Sequence, residues 1–162
     1  MYGNTVKDGS GNAWWTLVDP AGKLIITNGV VSIQSDATAN DSDKTFTVPA
    51  ATNWEIMTIY VTLVSTSDVG NRQMRVIITD ASDNVLVDVR ASTVQAASVT
   101  RYYQFAPGIQ DFAAFRDTDL LATVLPYGIV LPAGYKVRVY DKAAIAAAAD
   151  DMTVRMLVRA SA

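Results

Sequence analysis

The sequence predicts an all-β protein, an antiparallel β-sandwich that is jelly-roll-like and carries an extended N-terminal arm. Two observations support this prediction. The acidic side chains are 15 Asp and a single Glu, and Asp favours turns and loop ends whereas Glu favours helices. Segments in which apolar and polar residues alternate recur along the chain, as expected for strands with one buried face. Half of the 162 residues are apolar, which is enough for one buried core.

Residues 1–29 are predicted to form the arm. They contain two turn motifs, at residues 6–11 and 18–22. The second has Asp19, Pro20 and Gly22 at the positions that a type I turn prefers. Short strands are expected beside these turns, but so short a segment cannot bury a core of its own. We therefore predict an arm of short strands and turns over 1–29 and a β-sandwich domain over 30–162.

The strands of the sandwich are predicted from period-two alternation. They are expected at residues 30–33, 45–48, 55–64, 73–79, 85–89, 101–105, 123–130, 135–141 and 152–159. In the longest, Met57, Ile59, Val61 and Leu63 are expected to share the core face. Residues 73–79 and 85–89 predict a hairpin around an Asp-rich turn. The polar stretch 34–44 separates two strands, and residues 109–121 and 142–149 predict loops with at most one helical turn.

The residue types needed for most enzyme chemistry are missing. The chain has no Cys and no His, which removes the thiolate nucleophile, the imidazole base and the commonest zinc ligands. Asp150 and Asp151 are adjacent, and adjacent strand residues face opposite ways, so we interpret them as a solvated turn. No catalytic residue is predicted, and the protein is expected not to be an enzyme. The remaining enzymatic alternative is a glycan-degrading enzyme that uses paired Asp carboxylates.

Two loops contain enough carboxylates to be considered for calcium. Asp36, Asp41 and Asp43 lie in one polar stretch, and Asp80 and Asp83 lie in another. Calcium requires six to eight oxygen ligands, and the carboxylates of such a loop could supply only some of them. Neither loop has the spacing of a recognised calcium motif, so ordinary Asp turns are the preferred interpretation. No metal and no cofactor are predicted.

Charge and hydropathy exclude two classes of partner. The net charge is −3 and the basic residues are scattered, which argues against a nucleic-acid partner. No run approaches the roughly 20 apolar residues of a membrane span. The N-terminus lacks the apolar region of a secretory signal, so synthesis in the cytoplasm is expected.

The arm carries two adjacent tryptophans, Trp14 and Trp15, followed by Leu17 and Val18. In a strand the two rings face opposite ways. One ring could then cover the chain's own domain while the other contacts a neighbour, and Trp is enriched at interface hot spots. These four residues are the predicted partner interface. The alternative is that both tryptophans pack on their own sandwich.

A second aromatic zone lies in the domain. Its members are predicted to contact a ligand or a partner, or else to fill the core: Tyr102, Tyr103, Phe105, Phe112 and Phe115. Aromatic faces can stack on sugar rings, which would make this zone a carbohydrate-binding surface. Core filling is the competing interpretation, because large aromatic side chains dominate the cores of small domains.

Several segments of the chain resemble small virion proteins of tailed bacteriophages. The resemblance is carried by residues 47–50, 71–72, 131–141 and 148–152 and by the two turn motifs of the arm. It implies a jelly-roll capsid decoration (cement) protein, commonly a trimer whose arms reach over neighbouring capsomers. Its partner would be the major capsid protein or another virion protein, and its place the capsid surface of the virion. The same resemblance leaves a carbohydrate- or receptor-binding fibre module and a head–tail connection component as alternatives.

Overall fold

The computed structural model describes residues 4–7, 13–16, 29–40, 43–110, 118–143, 145 and 149–161. All helical or extended structure in these ranges is β-strand, which confirms the all-β prediction. Within the same ranges, no helix is long and apolar enough to cross a membrane.

The described residues form twelve strands, which we number in chain order. They are β1 (Asn4–Lys7), β2 (Ala13–Thr16), β3 (Val30–Asn40), β4 (Lys44–Thr47), β5 (Asn53–Val64), β6 (Met74–Thr79), β7 (Val85–Arg90), β8 (Thr100–Pro107), β9 (Leu120–Leu125), β10 (Val130–Leu131), β11 (Lys136–Asp141) and β12 (Asp151–Ser161). β1 and β2 pair antiparallel. Residues 8–11 of the first turn motif and all of the second lie outside the described residues.

The two larger sheets have the strand order of a jelly roll. One sheet runs β3-β12-β5-β8-β9, with β10 paired to β5, and the other runs β4-β11-β6-β7. The antiparallel pairs are nested along the chain, with β6 on β7, β5 on β8, β4 on β11 and β3 on β12. This is one long hairpin wrapped into two facing sheets, the arrangement called a jelly roll. The predicted β-sandwich is therefore confirmed.

One core fills the space between the sheets, because alternate residues of each strand point inward. Its buried members are Val48, Trp54, Ile56, Ile59, Val61, Leu63, Met74, Val76, Ile78, Ala91, Tyr103, Phe105, Leu121, Leu125, Leu131, Val137, Val139, Met152, Val154, Met156 and Val158. The predicted hairpin is present as β6 and β7, and its β6 residues supply the inward face that alternation predicted.

The predicted face of β5 is wrong at one residue. Alternation placed Met57 in the core, but Ile56 and Ile59 are buried and Met57 is only half-buried. The register between β5 and β12 shifts at this point, with Ile56 opposite Val158 and Thr58 opposite Leu157. Met57 is thus the extra residue of a β-bulge, which reverses the alternation around it.

Two further segments differ from the sequence prediction because of strand pairing. β3 continues to Asn40 through the polar stretch, since its backbone pairs with β12 for most of its length. β9 begins at Leu120, inside a predicted loop, and pairs parallel to β8. β3 and β12 are far apart in sequence, and the parallel pairing of the consecutive strands β8 and β9 depends on the connection between them, so local pattern could indicate neither pairing. The segment 142–149 has no helix in its described residues.

The core predicts a large difference between two apolar truncations. Leu63→Ala should lower the free energy of unfolding by about 3 kcal/mol, because Leu63 is fully buried between the sheets. Val124→Ala, at an exposed position of β9, should lower it by less than about 0.5 kcal/mol. Urea unfolding of the two variants measures both values. Equal losses would contradict the core described above.

Candidate interaction surface

β3 is an edge strand with one exposed side. It pairs with β12 along one edge, and within the described ranges no strand pairs with its other edge. Such an edge presents a row of backbone N–H and C=O groups that can pair with another chain. β3 has 11 residues and contains no Lys, Arg or Pro, residues that commonly protect exposed edges from added strands. Its one charged residue is Asp36, which lies 3.6 Å from Lys44.

Over residues 31–34 of β3, the polar side chains lie on the inner face of the sheet and the apolar side chains lie on the outer face. Ser32 and Gln34 lie opposite buried residues of β12 and therefore share the inner face of the sheet. Val31 and Ile33 lie on the outer face, where they are 53% and 68% exposed. Residues 31–34 thus direct their polar side chains towards the sandwich and their apolar side chains away from it, whereas Ser35 also lies on the outer face and Val30 lies on the inner one. Neighbouring exposed apolar side chains on one strand make this segment a candidate interaction site.

The second half of β3 is fixed to the sandwich by a buried lysine. Lys44 Nζ donates to the Thr38 carbonyl at 2.9 Å and to Asn40 Oδ1 at 2.6 Å, and lies 3.6 Å from the Asp36 carboxylate. The Thr38 N–H also donates to Asp36 and lowers the pKa of that carboxyl group. These contacts hold β3 in place as a preformed edge.

A second feature of the same outer face is a pair of tyrosines. Tyr60 on β5 and Tyr102 on β8 have ring centroids 6.1 Å apart and ring planes 22° apart. Both are 38% exposed. Beside them is an open depression of about 510 Å³ that is also lined by Thr118, Asp119 and Leu120. The Tyr102 N–H donates to the Asp119 carbonyl at 2.8 Å, which ties this turn to β8.

The predicted aromatic zone is divided between core and surface. Tyr103 and Phe105 are fully buried, so they contribute to the core. The Tyr103 hydroxyl donates to Gln95 Oε1 at 2.9 Å, and burial raises the pKa of this tyrosine. Tyr102, one position out of phase with them, reaches the surface. Phe112 and Phe115 lie outside the described residues.

The predicted interface of the arm is only partly described. Trp14 and Trp15 belong to β2, whose backbone pairs with β1. Leu17 and Val18 lie outside the described residues. The role of these four residues therefore stays a prediction.

The interpretation of Asp150 as part of a solvated turn is wrong. Asp150 and Arg72 are both 0% exposed, and their side chains form a two-pronged ion pair. Arg72 Nε lies 2.6 Å from Asp150 Oδ2, and Arg72 Nη2 lies 3.1 Å from Oδ1. Thr66 adds its N–H at 2.7 Å and its hydroxyl at 2.8 Å. An aspartate can be buried only with such compensation.

The ion pair has a structural rather than a chemical role. Burial raises the pKa of Asp150, but the hydrogen bonds from Arg72 and Thr66 outweigh burial and hold the pKa below its ordinary value. Arg72 also donates to the carbonyls of Asp68 and Gly70. The pair therefore joins the loop after β5 to the beginning of β12, and neither side chain is accessible to a substrate.

The other predicted carboxylates behave as ordinary turn and surface residues. Asp80 accepts the N–H groups of Ser82 at 2.8 Å and Asn84 at 2.9 Å. Asp83 pairs with Lys136, and Asp43 pairs with Arg138. Asp41 lies outside the described residues. In the described part of the chain, no group of three or more His, Cys, Asp or Glu residues could hold a metal ion.

Of the surface residues described here, Tyr102 was a predicted site residue, whereas Val31, Ile33, Tyr60 and Asp119 were not. Val31 and Ile33 alternate with polar residues, and the usual rule would place them in the core. Tyr60 did leave a signal, since alternation placed an aromatic ring on the outward face of the longest strand. Asp119 could not be linked to Tyr60 without the parallel pairing of β8 and β9.

Comparison with known proteins adds no assignment. No protein-family model matches the sequence, and no curated protein matches it. The functional argument therefore depends on the surfaces described above.

The buried ion pair predicts a pH-dependent contribution to stability. The pKa of Asp150 is lower in the folded chain than in the unfolded one, so the carboxylate stabilises folding above its unfolded pKa of about 3.9. This stabilisation is lost as the pH falls through the folded pKa. Asp150→Asn should lower the free energy of unfolding by roughly 3–5 kcal/mol at pH 7. The difference from the wild type should shrink below about pH 4.

Asp151 provides the matched control, because it is adjacent and exposed. Asp151→Asn should change the free energy of unfolding by less than about 0.5 kcal/mol at pH 7. Chemical unfolding of the three proteins between neutral and acidic pH measures both effects. A difference for Asp150→Asn that stays constant down to acidic pH would contradict this account.

Proposed function

We propose that this chain is a non-enzymatic structural protein of a bacteriophage virion, a capsid decoration protein that binds the major capsid protein lattice. The observation that carries the proposal is the free edge of β3, with Val31 and Ile33 directed outward beside it. The resemblance of several chain segments to small virion proteins supports the same class. The jelly roll is used by viral capsid proteins and also by lectins, so the fold is compatible with the proposal without deciding it.

The edge of β3 favours an extended protein segment as its partner. An added strand gains backbone hydrogen bonds along the edge, and side chains on alternate positions supply specificity. Val31 and Ile33 would be covered by the same event, because they lie on the outer face beside that edge. A lattice of identical capsid subunits presents the same segment many times, so each copy of this chain could bind one such segment through its own β3 edge.

The arm leads directly into this edge. Gly29 precedes β3 and packs so closely on β12 that a Cβ atom there would lie 2.3 Å from Arg159 Cγ. The arm therefore joins the domain at the sheet edge proposed to bind the lattice. Trp14 and Trp15 would add anchoring contacts to the same partner, as rigid aromatic side chains do at interface hot spots. A closed homotrimer on the capsid surface is the proposed assembly.

The proposal predicts that one charge on β3 weakens lattice binding. Capsids assembled without this chain, from the phage that encodes it, should bind the purified protein in a saturable manner. Ile33→Lys should weaken binding by at least about tenfold, because it places an ammonium group where apolar burial is expected. Co-sedimentation of capsids with increasing protein concentrations measures the dissociation constant.

Leu86→Lys is the matched control, since Leu86 is also an exposed apolar residue but lies on β7 of the other sheet. This variant should bind capsids as the wild type does. Thermal unfolding should show that both variants remain folded. Equal binding by Ile33→Lys and the wild type, or equal weakening by both variants, would overturn the role of β3.

A further inference from the structure

The tyrosine pair on the outer face is not explained by the core or by the edge of β3. Tyr60 and Tyr102 project from β5 and β8, which are inner strands of their sheet, so the two rings stand on a rigid base. The two rings are stacked with nearly parallel planes and are equally exposed, so they form one aromatic platform whose free ring face and ring edges remain in the open. Large aromatic side chains that remain exposed on a rigid surface commonly serve binding.

The surroundings of this platform are polar. Of the five residues that line the neighbouring depression, all except Leu120 carry a hydroxyl or carboxylate group, including Thr118 and Asp119. The register places Gln104 directly opposite Tyr60 and Thr62 directly opposite Tyr102 on the same face. Directly opposite residues lie about 5 Å apart between Cβ atoms. Hydrogen-bonding groups therefore flank the rings on several sides.

This combination suits a saccharide better than a protein partner. A sugar ring offers C–H groups that pack on the electron-rich face of an aromatic ring and hydroxyl groups that both donate and accept. The centre of a protein interface is instead depleted of charged side chains. The Asp119 carboxylate group lines the depression beside the tyrosine platform, whereas the exposed side chains of Val31 and Ile33 on β3 are apolar. The depression of about 510 Å³ also lies within the range of small-molecule sites.

We propose that the outer face of the larger sheet binds a neutral saccharide, with one sugar ring on the Tyr60–Tyr102 platform and its hydroxyls bonded to Asp119 and Thr118. The Asp119 carboxylate lines the depression, where it accepts hydrogen bonds from sugar hydroxyls and repels anionic sugars. Arg155 lies opposite Tyr60 on the far side, on β12, and does not line the depression, so the preference there is for neutral sugars. The site is separate from the β3 edge, so a decorated particle would keep it available for glycans.

The test is direct binding of the full chain to defined oligosaccharides. Immobilised maltohexaose, cellohexaose and mannohexaose serve as neutral probes, and a sialylated and a sulfated oligosaccharide serve as anionic ones. We expect at least one neutral probe to bind at micromolar to millimolar concentrations and the anionic probes to bind more weakly. Tyr102→Ala should weaken binding of that probe by at least about tenfold, and Tyr102→Phe should retain most of it.

Tyr127→Ala is the matched control, because Tyr127 is a more exposed tyrosine that does not line the depression. It should leave binding unchanged. Asp119→Asn should remove the discrimination against anionic probes. Absence of binding to every probe would overturn the proposal, as would equal losses for Tyr102→Ala and Tyr127→Ala. Reduced binding after Ile33→Lys but not after Tyr102→Ala would assign the saccharide to the β3 edge and would also overturn it.

Discussion

β12 lies between β3 and β5 and pairs with both along most of its length. Its inward side chains, Met152, Val154, Met156 and Val158, all lie in the core. β12 therefore connects β3 to the rest of the larger sheet, although β3 and β5 both come from the first half of the chain. The Arg72–Asp150 ion pair fixes the point where the insertion begins, because Asp150 directly precedes β12.

This constraint also determines which surfaces remain exposed. Since β12 occupies one side of β3, the other side of β3 becomes the outer edge of the sheet. The second sheet begins with the short strand β4, and Lys44 at its start is the residue that holds the end of β3. The same sheet thus offers an edge suited to an added protein strand and, several strands away, an aromatic platform suited to a sugar. The two surfaces differ in chemistry as well as position.

The sequence predicted the features that depend on neighbouring residues. The β6–β7 hairpin follows from alternation around a turn. Core filling, one of the two interpretations of the aromatic zone, applies to Tyr103 and Phe105. What the sequence could not provide depends on distant pairing. The outward direction of Val31 and Ile33 follows from their register with β12, and the burial of Asp150 follows from its contact with Arg72, 78 positions away along the chain. The bulge in β5 likewise moves Met57 off the core face, and no local sequence pattern signals it.

The most direct test of the proposed decoration role is a residue-level cryo-electron microscopy map of the particle assembled by the phage proposed to encode this chain. Under the proposed function, this chain should lie on the outside of the capsid, with a strand of a capsid subunit beside the free edge of β3 at about 4.8 Å. Tyr60 and Tyr102 should face away from the shell. A particle that lacks this chain, or a map in which the edge of β3 faces solvent while another surface contacts the capsid, would contradict the account.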